Sequence, residues 1–132
     1  MYKYLESLNN EQLEAVLSND NEIMLVAGAG TGKTNTIVKK IIYLIKEQRV
    51  IPYNILAVTF TNKAVREIRE RVNNSLCTNH SGVVVNTFHQ LAKSILDKDD
   101  NYQLLGYKSL KILEDEGREK ILDKIIKYND MY

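Results

Sequence analysis

The chain has 132 residues, 44% of them apolar and 27% charged, enough for one domain with a hydrophobic core and too apolar for a disordered chain. Its 18 basic and 17 acidic residues leave a net charge of +1, which excludes a wholly basic nucleic-acid-binding domain and confines any DNA contact to local patches. No apolar run approaches a membrane span, the first residues lack the apolar stretch of a secretion signal, and Cys77 has no second cysteine to pair with. Membrane, secreted and disulfide-stapled classes are therefore excluded, and a reducing cytoplasm is expected.

Apolar runs alternate with amphipathic stretches, the pattern of a parallel α/β sheet. Asn9 is placed as an N-cap, because Gln12 stands at capping-box spacing and Leu8 and Leu13 form a hydrophobic staple; a helix over residues 10–17 follows. Ile23-Met24-Leu25-Val26-Ala27, bounded by Asn21 and Gly28, predicts a buried strand. Ile37, Val38, Ile41, Ile42 and Ile45 then mark one helical face, ending near Gln48. Residues 55–60, from Ile55 to Phe60, predict a second strand. The stripe Val65, Ile68, Val72 and Leu76 predicts a helix whose other face, with Arg66, Arg69 and Arg71, is solvated. Val83-Val84-Val85 starts a third strand, and Thr87 with Gln90 forms a second capping box that opens a helix to about Leu96. Residues 97–107 read as a loop. A last helix carries Ile121, Leu122, Ile125 and Ile126, with acids early and lysines late, matching the helix dipole. Three strands make a small sheet for this architecture. The sheet is expected to be incomplete.

The strongest chemical signal is Ala27-Gly28-Ala29-Gly30-Thr31-Gly32-Lys33-Thr34, which ends in Gly-Lys-Thr between a predicted strand and a predicted helix. That is the context of a phosphate-binding loop. Glycines allow backbone N–H groups to turn inward around phosphate oxygens, and the following helix adds the positive end of its dipole. Lys33 supplies a point charge for the terminal phosphates, and the Thr34 hydroxyl a ligand for Mg²⁺. Ala27 stands where the strict pattern has a glycine. Asn62-Lys63-Ala64-Val65 lacks the acid of a guanine-reading Asn-Lys-x-Asp motif, so guanine recognition of that kind is unsupported.

Four segments now fall in order: Leu8-Asn9-Asn10-Glu11-Gln12, the phosphate loop, Thr59-Phe60-Thr61-Asn62-Lys63-Ala64 and Thr87-Phe88-His89. Together they resemble the N-terminal part of the UvrD/Rep-type superfamily 1 DNA helicases, over nearly the whole chain. The resemblance implies a P-loop NTPase (RecA-like) fold, three-layer α/β/α, with a partial parallel sheet followed by helices. Residues 1–107 would be the N-terminal part of the ATP-binding motor domain, and residues 108–132 a helical segment leading into an inserted subdomain. It implies that Gln12 reads adenine, an amide that also closes the capping box with Asn9, and that residues Ala27, Gly28, Ala29, Gly30, Thr31, Gly32, Lys33, Thr34 and Asn35 hold ATP. Asn35 stands where many members have an arginine. Phe60 would meet a base of single-stranded DNA, with Thr61, Asn62 and Lys63 beside a phosphate. Thr87, Phe88 and His89 would touch the DNA backbone.

The family's Asp-Glu box, sensor glutamine, arginine fingers and second motor domain have no counterpart here. The run from Leu110 to Glu116 imitates a strand ending in acids, but Lys111 interrupts it. The expectation is a helicase fragment that binds nucleotide without hydrolysing it, and whose open sheet edge invites self-association. Two other readings stay open. One is a compact P-loop kinase using Glu114, Asp115 or Glu116 for Mg²⁺; the other is a non-catalytic nucleotide- or DNA-binding module.

Overall fold

A computed structural model describes residues 2–28, 30–108 and 115–129. Ala29 of the phosphate loop and the run from Leu110 to Glu114 lie outside the described residues. The chain divides into two compact units, Met1–Leu91 and Ala92–Tyr132.

In the first unit, helix α1 (Asn10–Leu17) starts as its sequence requires. The Asn9 carboxamide accepts from the Gln12 N–H at 2.9 Å, and the Gln12 side chain accepts from the Asn9 N–H at 3.1 Å. Both halves of the capping box are made. Helix α2 (Lys33–Lys46) begins directly after Gly32, strand β1 (Leu56–Thr59) follows, and helix α3 (Asn62–Ser75) crosses over to strand β2 (Val84–Thr87). The two strands are parallel, in a register running from Leu56 opposite Val84 to Thr59 opposite Thr87. A pair of strands is marginal alone and needs a packed face. Here Ile55, Val83 and Val85 pack on Val38, Ile41 and Ile42 of α2 and on Val65, Ile68 and Val72 of α3. A smaller cluster of Leu5, Val16 and Tyr43 joins α1 and the N-terminal residues to α2. Cys77 is an exposed loop thiol just past α3.

Helix α4 (Phe88–Asp97) opens with the second capping box: the Thr87 hydroxyl accepts from the Gln90 N–H at 3.2 Å, and the Gln90 side chain accepts from the Thr87 N–H at 2.9 Å. In the second unit, residues Lys98–Leu105 wind into a 3₁₀ helix, and helix α5 (Asp115–Asn129) closes the described chain.

Four expectations need correction. Residues 23–27 form no strand, so the described sheet has two strands and not three. A strand is completed only by a neighbour's hydrogen bonds, and the free edge of β1 is separated from α2 by a cavity of about 550 Å³ walled by Ile37, Ile41 and Leu44. Met24 and Val26 are accordingly 89% and 87% exposed. Second, the third predicted strand runs Val84–Thr87, one residue later than Val83, because residue 84 is the first in ladder register with β1. Third, both helices of the main core pack on the sheet face bearing Val83 and Val85, while Leu56 and Val84 of the other face are exposed, so only two layers are seen among the described residues of this unit. Fourth, the stretch read as a loop over 97–107 is largely the 3₁₀ helix, whose end is taken by Gly106 at φ 81°.

Candidate nucleotide site and nucleic-acid surface

The glycine-rich loop joins residues 23–27 to the first turn of α2. Gly30 and Gly32 have φ of 76° and 86°, the left-handed region that a side chain rarely adopts. At Gly32 a Cβ would also stand 3.2 Å from Gln12 Nε2. Two threonines hold the loop. Thr31 Oγ1 donates to the Gly28 carbonyl at 2.8 Å, and Thr36 Oγ1 to the Gly32 carbonyl at 3.2 Å. Lys33 Nζ donates to the Ala27 carbonyl at 3.1 Å and also to the Gly28 carbonyl. Both of these partners are neutral carbonyls. Thr34 and Asn35 are half-buried in the first turn beside it.

Gln12 connects this loop to α1. While Oε1 serves the cap, Nε2 donates to the Thr31 carbonyl at 2.8 Å, leaving one amide N–H without a partner among the described residues. A cavity of about 370 Å³ lies here, bounded by Asn9, Gln12, Val26, Gly28, Thr31 and Lys33. The far end of α1 is held by Lys40 of α2, whose Nζ donates to the Val16 carbonyl at 2.9 Å and the Ser18 carbonyl at 2.6 Å. Burial holds the Lys40 pKa below its ordinary value, against an opposing pull from Asp20.

A second surface gathers where β1 and β2 end. Phe60 is 83% exposed and Phe88 55%, their rings edge to face with centroids 5.6 Å apart. Thr61 caps α3, its hydroxyl accepting from the Ala64 N–H at 3.1 Å. Asn62 Oδ1 accepts from Gln90 Nε2 at 3.1 Å, which ties the start of α3 to the start of α4. Lys63 and His89 are exposed, whereas Thr87 is buried and its hydroxyl is spent on the cap of α4.

The UvrD/REP helicase N-terminal domain profile matches residues 8–132. This chain belongs to the UvrD/Rep helicase family. Its relatives include DNA helicase II of Rickettsia typhi, 39% identical over 125 residues, a match covering 94% of this chain and 19% of the relative. DNA helicase II of Escherichia coli is 39% identical over 123 residues, covering 93% of this chain and 17% of that protein. The ATP-dependent DNA helicase PcrA of Bacillus subtilis is 46% identical over 95 residues, covering 72% of this chain and 13% of that protein. The chain thus spans under a fifth of the length of these relatives.

For a UvrD/Rep family chain read by motif, three connections were out of reach. Lys40 sits between buried Thr36 and Tyr43 on α2, yet nothing in the sequence says which α2 face is covered. Arg69, read as part of a solvated face, donates to the Val85 carbonyl at 2.9 Å. Tyr2, Tyr4 and Tyr43 gather their rings around the end of α2, with Tyr4 Oη donating to Glu47 Oε1 at 3.1 Å. Among the other arginines, Arg71 pairs with Glu67 one turn back at 2.8 Å.

Proposed function

We propose that this chain is the N-terminal, ATP-binding part of a cytoplasmic ATP-dependent DNA helicase that translocates on single-stranded DNA and unwinds duplex. Residues 1–107 open a RecA-like motor domain, and residues 108–132 lead into an inserted helical subdomain. The observation that carries the reading is the loop itself: two left-handed glycines just before α2, an ammonium at Lys33 on the backbone carbonyls of Ala27 and Gly28, and the Gln12 amide on the loop.

Each residue then has a task. The backbone of residues 27–32 would hold the phosphates, and Lys33, now on the Ala27 and Gly28 carbonyls, would supply charge to the terminal phosphates. Thr34 would be the protein ligand of Mg²⁺, which would neutralise phosphate charge. Asn35 lies alongside. Gln12 offers its amide to the adenine edge. Phe60 would offer its ring face to a base, and Thr61, Asn62, Lys63, Phe88 and His89 would lie beside the backbone, with Thr87 fixing the helix that carries His89. The exposed residues 23–26 and the free edge of β1 are the surfaces through which copies would associate.

The test is calorimetric titration of Mg·ATP and Mg·GTP into the chain, with Lys33→Ala and Gln12→Ala as controls. Binding that favours ATP, falls in both variants and proceeds without turnover is the expected result. Steady hydrolysis or phosphate transfer, abolished by Glu116→Gln, would replace this reading with a compact kinase.

A further inference from the structure

Helix α1 has eight residues and buries one of them fully, Val16. A helix that short is not stable by itself, so its position over the phosphate loop depends on what holds it to α2. Its first turn is held by Gln12, whose amide spans the cap and the Thr31 carbonyl. Its last turn is held by Lys40. The carbonyls that end a helix have no partner within it and carry the negative end of its dipole. Lys40 Nζ takes two carbonyls of this end, Val16 at 2.9 Å and Ser18 at 2.6 Å. Ser18 is fixed in turn, its hydroxyl donating to Asp20 Oδ2 at 2.6 Å and accepting from the Asp20 N–H at 3.0 Å. Lys40 lies roughly two turns beyond Lys33 on the same helix. One rigid element therefore carries both the cation facing the loop and the cation that fixes α1.

We propose that Lys40 is a positioning residue for nucleotide recognition: by gripping the C-terminal carbonyls of α1 it sets where Gln12 stands over the phosphate loop, and so controls base-dependent affinity without touching the nucleotide. The inference rests on the reading of this loop and of Gln12 as an ATP site. Losing the grip releases the α1 end that Lys40 holds, while the loop, built from α2 and its own threonines, keeps its geometry. Phosphate affinity and base-dependent affinity should then separate.

The experiment titrates Mg·ATP and Mg·tripolyphosphate into the wild-type chain and into Lys40→Met, Lys40→Gln and Lys40→Arg. Lys40→Met is expected to weaken ATP about tenfold and tripolyphosphate less than about twofold, and Lys40→Arg to restore ATP to near wild type. If Lys40→Met does not fold, Lys40→Gln, which is shorter and uncharged, decides the same comparison. Equal losses on the two ligands would make Lys40 merely structural and overturn the proposal, as would no loss on either. Wild-type binding of ATP no tighter than tripolyphosphate would overturn the positioning role while leaving the phosphate site standing. Absence of any binding that Lys33→Ala removes would overturn the nucleotide reading and this proposal together.

Discussion

Arg69 reaches from α3 to the carbonyl of Val85, Nη2 to O at 2.9 Å, and that carbonyl points away from the partner strand. The Val84 N–H donates to Ile55 at 3.0 Å, toward β1. In a parallel pair alternate residues turn both backbone groups to one side, so Val85 and Thr87 face outward. Arg69 takes the first of these outward groups and the Gln90 side chain the second. Side chains thus take the Val85 carbonyl and the Thr87 N–H on the outer edge of β2. On β1, the backbone groups of Leu56 and Val58 face away from β2, and both residues line the cavity beside α2.

Replacing Arg69 by alanine should therefore open a second edge. The expected loss is about 1–3 kcal/mol, the usual range for a hydrogen bond to a charged group, read from the urea midpoint. Sedimentation velocity should show association at lower concentration than for wild type. An unchanged midpoint together with unchanged sedimentation would mean that the contact does not protect the edge.

Ile42 of α2 is fully buried in the main core. Ile42→Ala should cost about 2–5 kcal/mol through lost burial and the cavity left behind. Chemical denaturation checks it, and a cost below about 1 kcal/mol would show that the α2–α3 contact closes up around the gap.

Tyr4 predicts an alkaline limit. Desolvation first, then the hydrogen bond and charge of Glu47, raise its pKa well above the ordinary phenol value of 10.0. The folded state thus keeps a proton that the unfolded chain releases above pH 10.0, so this contribution to stability is full below that pH and is lost as pH rises beyond it. Tyr4→Phe should flatten the fall in melting temperature above pH 10 while losing the Glu47 contact at neutral pH. Parallel curves for the two proteins across that range would assign the alkaline loss elsewhere.

Phe60 separates binding from folding. At 83% exposure its ring contributes little to the core, so Phe60→Ala should leave the melting temperature unchanged. Stacking on a base is worth about 1–3 kcal/mol, so affinity for an oligo-dT strand should fall roughly tenfold or more, measured by fluorescence anisotropy. Equal affinity in the two proteins would remove Phe60 from the DNA surface.

What could be read from the residues alone is local in its physics. The two capping boxes close within four residues, and the phosphate loop depends on glycines, a lysine and a threonine within one turn of α2. Those hydrogen bonds and conformations are complete within their own segments, so short-range pattern predicts them, and the motif order was enough to point to the family. Residues 23–27 have the composition of a strand, but a strand exists only through a neighbour, and nothing in five apolar residues says whether a neighbour lies alongside. The same reason hid Lys40 and Arg69. Each is a long cation ending on backbone carbonyls, and a carbonyl is the same in every residue, so the sequence carries no mark of the partner. The residue types determined the loop, the caps and the family; only the packing of α1 and α3 against their neighbours decided which cations fix the helix beside the loop and which edge of the sheet stays open.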